Sequence, residues 1–189
     1  FVPFSLTKTP LLFTRSRLRK NHVDPDQMRI RNVGRPEEAV AVIRAGEADF
    51  AEFPEPYVSS VLAAGSARVC VSMAQELGAI PFSVIITRRE LIEQRHDALQ
   101  RLLASVQAAQ TWIQDASAEA VARELSRSFA DIDPPLLEAA AARYKDERVW
   151  ASHLTVNSAP FIAMQEAIMQ GGEELRMLPF EDVVDNSLS

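Results

Sequence analysis

Short apolar segments alternate with amphipathic segments along the first 75 residues, and this alternation limits the fold more than any other feature. The apolar segments are typical of strands and the amphipathic segments of helices. The predicted strands cover 1–4, 28–33, 48–53 and 67–73, and the predicted helices cover 10–21, 36–45 and 56–64. Strands that alternate with helices form a mostly parallel sheet through right-handed crossovers. The sequence therefore predicts an α/β fold.

The pattern changes after Gly78. One apolar segment, 82–87, is followed by four helical patterns, at 87–115, 117–129, 133–144 and 158–171. A single strand cannot satisfy both of its hydrogen-bonding edges or cover the apolar faces of four helices. We therefore expect the missing strands to come from a preceding stretch of the native chain or from another chain. The start at Phe1 agrees with the first of these and predicts the C-terminal part of a longer two-domain protein.

Composition excludes several classes of protein. The hydrophobic content of 47% is that of a folded globular protein. The 20 Lys and Arg residues against 26 Asp and Glu give a net charge of -6, which argues against nucleic-acid binding. No stretch reaches the roughly 20 apolar residues of a membrane-spanning helix. Cys70 is the single cysteine, so no intrachain disulfide can form.

Three segments carry a family resemblance: "AVAVIRAGEADFAEFPEPYVSSVL" at 39–62, "IPFSVIITRRELIEQRHDALQRLLASVQAAQTWI" at 80–113 and "LPFEDVVDNSL" at 178–188. In this order they resemble the NMT1/THI5-like (SsuA/TauA-like) ABC-transporter solute-binding protein family. The resemblance implies a type II periplasmic-binding-protein-like α/β fold with two lobes and a hinge. Residues 1–76 would form most of the second lobe and 77–81 a hinge crossing. Residues 82–189 would return to a first lobe that is incomplete in this chain.

Two loops are candidates for ligand contact, because ligands bind beyond the carboxyl ends of parallel strands. The first loop offers Ser5, Thr7, Lys8 and Thr9 before a helix whose predicted first residue is Pro10. Hydroxyls, an ammonium group and free N–H groups at a helix N-terminus suit an anionic ligand group. The alternative is that Thr9 caps its own helix and Lys8 is solvated.

The second loop contains Phe53, Glu55 and Tyr57 in "FPEPY". The two prolines end the strand and start the next helix, so Glu55 lies at or beside a helix N-cap. Its carboxylate either accepts a hydrogen bond from an amine or amide of the solute or interacts only with the helix dipole. Together with Glu52 it favours an amine, amide or aminopyrimidine, whereas Lys8 and the first loop favour a sulfonate or another anion.

Gln75 is a further candidate ligand contact in the predicted crossing, with satisfaction of hinge backbone groups as the favoured alternative. The three histidines, His22, His96 and His153, share no metal-ligand spacing. No catalytic triad, P-loop, dinucleotide-binding glycine motif or Cys/His cluster appears. The sequence thus predicts no catalytic residue, no metal and no cofactor.

The resemblance implies a solute-binding protein that captures a small polar organic molecule for an ABC importer by hinge closure. Sulfonates, taurine, nitrate and thiamine pyrimidine precursors are the solute classes implied, the importer's permease is the implied partner, and the location is periplasmic or extracytoplasmic. An enzyme on the same fold, a pyrimidine-precursor synthase or a desulfinase, is the main alternative. A ligand-sensing regulatory domain is the second, and both alternatives would be cytoplasmic.

Overall fold

A computed structural model describes residues 1–3 and 8–188 of the chain. Within these residues the chain forms ten α-helices and a short 3-10 helix, Pro25–Gln27. The α-helices are α1 Lys8–Lys20, α2 Pro36–Arg44, α3 Tyr57–Ala63, α4 Met73–Leu77, α5 Arg89–Gln94, α6 His96–Asp115, α7 Ala118–Leu125, α8 Pro134–Asp146, α9 Ser158–Gln170 and α10 Phe180–Val183.

Helices with strong local start signals lie where the sequence predicts them. Helix α2 begins at Pro36 with two glutamates in its first turn, and Gly46, at φ +70, follows its end. Proline suits the first turn, acidic side chains suit the positive end of the helix dipole, and glycine tolerates the left-handed conformation. Helix α8 likewise begins at Pro134. The helices predicted at 36–45 and 133–144 are confirmed to within two residues.

The helix predicted over 87–115 is instead two helices. Arg95, with φ -126 and ψ 25, lies outside the helical region and separates α5 from α6. Helix α5 begins at Arg89, and its N-cap residue, Arg88, makes no side-chain capping hydrogen bond. The predicted capping box at Thr87 is therefore wrong, as is the prediction of one continuous helix.

Pairing between extended segments is sparse and centres on residues 1–3. Two hydrogen bonds of 2.9 Å through Val2 form an isolated parallel bridge with the segment 50–52. On the other side, the amino group of Phe1 donates to the 29–31 segment at 3.0 Å and its carbonyl accepts from that segment at 2.9 Å. The described residues form no sheet beyond these contacts.

The prediction of an α/β, type II periplasmic-binding-protein-like fold with two lobes is therefore wrong, because the described chain is helical and lacks a sheet. The segments predicted as strands at 67–73 and 82–87 form no bridge in the described structure. Their apolar side chains stay accessible; Val71 is 60% exposed and Ile86 is 85% exposed. The hinge crossing at 77–81 stays a prediction, and helix α4 ends at its first residue, Leu77.

The buried residues form two groups. Near the N-terminus, Val2 packs with Ala39 and Val42 of α2. Further along the chain, helix α8 packs against α3 and α7, and each of the three helices contributes buried apolar side chains, among them Val61 and Leu137. The segment 50–57 runs from the first group to the second, so its polar side chains lie between two packed regions.

Helix α1 also packs against the end of α9 through polar contacts. Arg15 donates from Nε to the carbonyl of Gly171 at 3.0 Å, and Arg19 donates to the carbonyl of Gln170. Ser16 donates to the side chain of Gln170 at 3.1 Å. Guanidinium groups at a helix C-terminus satisfy free carbonyl groups and oppose the negative end of the dipole. These contacts anchor α9 on α1 across more than 150 residues of sequence.

Substitution of Gly171 by alanine is expected to lower the free energy of unfolding by about 2 kcal/mol, the usual cost of overpacking. A Cβ at this position would lie 2.3 Å from the carbonyl oxygen of Leu12 in α1, so backbone rather than a mobile side chain must shift. Urea denaturation followed by circular dichroism measures the change. Gly34→Ala is the control, because its Cβ would come no closer than 3.6 Å to the Glu38 carboxylate. Equal stabilities of the two variants would contradict the close helix contact.

Candidate functional site

The segment 50–57 carries the polar groups of the candidate site, starting with Glu52. The backbone N–H of Glu52 donates to the carbonyl of Val2 at 2.9 Å, which fixes the residue at the end of the short parallel pairing. Its side chain points to helix α1, where the hydroxyl of Thr14 donates to Oε2 at 3.3 Å. No Lys, Arg or His of the described chain forms an ion pair with this carboxylate.

The electrostatic environment of Glu52 follows from this geometry. Burial without a compensating cation raises the pKa of Glu52 from its ordinary 4.5 to about 7, against the smaller lowering effect of the Thr14 hydrogen bond. At neutral pH the side chain therefore exchanges between a carboxylate, which only accepts hydrogen bonds, and a carboxylic acid, which also donates one. Such a perturbed group is a candidate for function on physical grounds.

Glu55 lies three residues further on and has a different environment. Its side chain is 3% exposed and forms an ion pair with Nε of Arg143 in α8 at 2.7 Å. The second carboxylate oxygen accepts from the backbone N–H of Ser59 in α3 at 3.0 Å. The backbone N–H of Glu55 donates to the hydroxyl of Tyr144 at 3.1 Å, and the Glu55–Pro56 peptide bond is cis. Both carboxylate oxygens thus have partners inside the protein.

These contacts agree with the alternative in which Glu55 serves the helix behind it, with the addition of a salt bridge. Tyr144 in turn packs edge-on against Trp150, with ring centroids 5.5 Å apart. Direct contact of Glu55 with a ligand stays a prediction. In the described structure the residue joins the start of α3 to α8.

Phe53 and Tyr57 flank Glu55 but point to other partners. Phe53 is partly buried and packs on the core cluster of Val2, Ala39 and Val42. The hydroxyl of Tyr57 donates to Oε1 of Glu37 at 2.9 Å, and burial, with the nearby carboxylate, raises the pKa of Tyr57. The three residues of the predicted loop therefore lie on one segment and contact three different parts of the molecule.

The first predicted loop is described only in part. Ser5 and Thr7 lie outside the described residues. Lys8 is the first residue of α1, is exposed, and has its ammonium group 4.0 Å from the carboxylate of Glu173. Thr9 lies inside the first turn of α1 and is half-buried, so the prediction of Thr9 as N-cap residue is wrong.

Gln75 lies in helix α4 with an exposed side chain, and its backbone N–H donates to the hydroxyl of Ser72 at 3.4 Å. The neighbouring Glu76 forms an ion pair with Arg17 of α1. A groove of about 640 Å³ runs between α1, α4 and α9 and includes Glu76 and Arg17 in its wall. Neither Glu52 nor Glu55 lines this groove, so the carboxyl group with the raised pKa and the groove are separate features.

Sequence reasoning missed three residues of the network. Thr14 lies in the middle of α1, and Arg143 and Tyr144 lie almost 90 residues beyond the segment that they contact. No local pattern pairs residues at that separation. The one available signal was Glu52 itself, a carboxylate placed between Ala51 and Phe53 in a predicted strand, which demands a partner when buried.

The described residues contain no group of three or more His, Cys, Asp or Glu side chains with the spacing of a metal site. No helix in the same ranges combines the length and apolar character that crossing a membrane requires.

The chain is 22% identical over 174 residues, 91% of its length, to the protein named "Putative binding protein YtlA" of Bacillus subtilis (strain 168). The match covers 52% of that protein, so the chain spans about half the length of this curated relative. No solved structure matches the chain. The model of the NMT1-like family matches residues 3–127, about two thirds of the sequence, and the chain therefore belongs to the NMT1-like family.

Proposed function

We propose that this chain is part of a solute-binding protein that takes up a small polar organic molecule. Membership of the NMT1-like family and similarity to a protein named as a binding protein support this role. The observation within the structure that carries the proposal is Glu52, a half-buried carboxyl group with no internal cation and with Thr14 beside it. A carboxyl group with this environment is a candidate for contact with an external partner.

The finer features are part of the proposal. The solute belongs to the sulfonate, taurine, nitrate or thiamine-pyrimidine-precursor class. An ABC importer's permease receives it, and the binding takes place in the periplasm or another extracytoplasmic space. The first turn of α1, with Lys8 and Thr9, and the side chain of Glu52 are the two polar regions available to such a solute. Both regions lie along helix α1. Glu52 contacts Thr14, which lies six residues, about 9 Å along the axis, beyond Lys8.

A ligand screen tests the proposal. We expect at least one sulfonate, nitrate, taurine or aminopyrimidine compound to raise the melting temperature of the 189-residue chain by several degrees at 100 times its dissociation constant. Isothermal titration calorimetry then measures the affinity. If none of these four classes produces a saturable shift, the proposed function is wrong for this chain.

Substitution of Thr14 by valine is expected to weaken the best ligand of that screen by about 3- to 10-fold. The change removes one hydroxyl beside Glu52, and a hydrogen bond of this kind contributes about 0.5–1.5 kcal/mol. Thr111→Val is the matched control, because the hydroxyl of Thr111 bonds only to the carbonyl of Gln107 within α6. Equal losses of affinity in both variants would place the ligand away from Glu52.

A further inference from the structure

Glu52 differs from the other carboxylates of the described chain that lie near helix α1. Asp26 is paired with Arg15, Glu76 with Arg17, and Glu173 with Lys8. Glu52 is more deeply placed than these groups, yet it has one neutral partner, the hydroxyl of Thr14. Buried carboxylates are ordinarily paired with a cation or hydrogen-bonded at both oxygens. The missing partner is therefore a positive or proton-donating group.

One oxygen of the carboxyl is open to such a group. Oε2 accepts from Thr14, whereas Oε1 has no hydrogen bond in the described structure. Among the described residues, the side-chain polar atoms that are sealed from solvent without a partner are Arg17 Nε, Ser59 Oγ and Gln110 Oε1, and Glu52 Oε1 is not one of them. Glu52 is partly accessible, so a donor from outside the chain can approach its carboxyl group.

Charged groups on the neighbouring elements do not supply this partner. On α1, Lys8 faces Glu173, Arg15 and Arg19 face Asp26, Arg17 faces Glu76, and Lys20, the last residue of the helix, forms no ion pair in the described structure. From α8, Arg143 is held by Glu55. On α2, Glu37 accepts from Tyr57, and Glu38 faces Arg35. On the paired segment 1–3 the ammonium group of Phe1 donates to the carbonyl of Arg29. No cation of the described chain thus lies within ion-pair distance of the Glu52 carboxyl.

We infer that Glu52 determines specificity by selecting a ligand with a primary ammonium or amidinium group, and that binding of this group displaces the proton of Glu52 to solvent. This inference rests on the proposed function and narrows its solute classes to compounds that carry an ammonium or amidinium group, such as taurine, to the exclusion of nitrate and simple sulfonates. An anionic head group would meet a group that becomes negative near neutral pH, and a neutral hydroxyl would leave the carboxylate charge uncompensated.

The expected pH dependence has a definite sign. The cation binds the ionised carboxylate, and the pKa of Glu52 in the free protein is about 7. Affinity for the cation therefore rises with pH until Glu52 is ionised in the free protein as well. Between pH 5.5 and pH 8 the increase is about 30-fold if the bound form is fully ionised.

Three probes with the same carbon skeleton test the selection: n-propylammonium chloride, 1-propanol and sodium propanoate. Binding to the 189-residue chain is followed by ¹H–¹⁵N NMR, and the ionisation of Glu52 by the ¹³C shift of its carboxyl carbon. We expect saturable shifts near Glu52 with n-propylammonium, binding at least tenfold weaker for the other two probes, and a lowered pKa of Glu52 in the presence of the amine.

Substitutions separate this role from a structural one. Glu52→Gln should remove both the preference for the ammonium probe and the pH dependence of binding. Thr14→Val should keep the preference and move the midpoint of the pH dependence upward, because the Thr14 hydrogen bond lowers the pKa of Glu52. Glu47→Gln, at an exposed carboxylate paired with Arg31, should change neither.

Two results would overturn the inference. One is binding of n-propylammonium that is no stronger than that of propanoate, including no saturable binding at all. The other is a preference that survives in Glu52→Gln. If either result is found together with saturable binding of an anion from the solute screen, the proposed function stands and this inference alone is refuted. A negative solute screen together with selective binding of n-propylammonium would refute the proposed solute classes and leave the selection of a cation by Glu52 standing.

Discussion

Arg143→Ala is expected to lower the free energy of unfolding by about 3 kcal/mol. The substitution leaves the carboxylate of Glu55, 3% exposed, buried without its cation. Removal of one partner from a buried ion pair costs about 3–5 kcal/mol, and the 30% exposure of the Arg143 side chain places this pair at the lower end. Urea denaturation followed by tryptophan fluorescence measures the loss, since Trp150 packs on the neighbouring Tyr144.

A matched exposed pair provides the control. Arg127 forms a 2.7 Å ion pair with Glu124, but the two side chains are 76% and 47% exposed. Arg127→Ala should therefore cost less than about 1 kcal/mol. Adding Glu55→Gln to Arg143→Ala should recover part of the loss, because the neutral amide removes the uncompensated charge. If Arg143→Ala is no more destabilising than Arg127→Ala, the buried ion pair does not hold α3 to α8.

This pair explains the sequence Pro-Glu-Pro at 54–56. The prolines limit the backbone on both sides of Glu55 and remove two hydrogen-bond donors, so pairing with a neighbouring segment ends there. The carboxylate then bonds to the third residue of α3, Ser59, and to α8 through Arg143. A strand terminator predicted from sequence is in the structure also a long-range tie between two helices.

The sequence predicts a helix well when the signals for its start and end lie within a few residues of it. Helix α2 was predictable because Pro36 and Gly46 act within a few residues of its ends. The break at Arg95 was not, because the predicted capping box and the apolar spacing beyond it favour one continuous helix. Strand prediction at 82–87 depends on pairing with other segments, and a sequence pattern records apolar character without recording whether a neighbour is present.

In the candidate site, too, local features were predictable from the sequence and long-range contacts were not. The functional interest of the segment 52–57 was predictable from its prolines, carboxylates and aromatics. Its partners were not, because Thr14 and Arg143 reach it only through the packing of α1 and α8. Because these partners were not predicted, Glu55 was the main candidate for ligand contact in this segment. In the structure Glu55 is paired with Arg143, and Glu52 is the carboxyl group that lacks an internal cation.

Glu52→Gln is expected to make the protein more stable than the native sequence at pH 8 by up to about 3 kcal/mol, and equally stable near pH 4. The pKa of Glu52 is about 7 in the folded state and about 4.5 when unfolded. Between these values the folded state keeps a proton that the unfolded state releases, so the free energy of unfolding falls as pH rises. A difference of about 2.5 pKa units corresponds to about 3 kcal/mol.

Comparison of the two proteins isolates this effect, because every other carboxylate contributes equally to both. Urea denaturation at pH 4, 5, 6, 7 and 8 should give curves that coincide at pH 4 and separate with rising pH. Glu47→Gln is the control: its carboxylate is exposed and paired with Arg31, so loss of the charge should be neutral or slightly destabilising at pH 8. A constant difference between native protein and Glu52→Gln across this range would mean that Glu52 has the same pKa in the folded and unfolded states, and the argument for an external cationic partner would lose its basis.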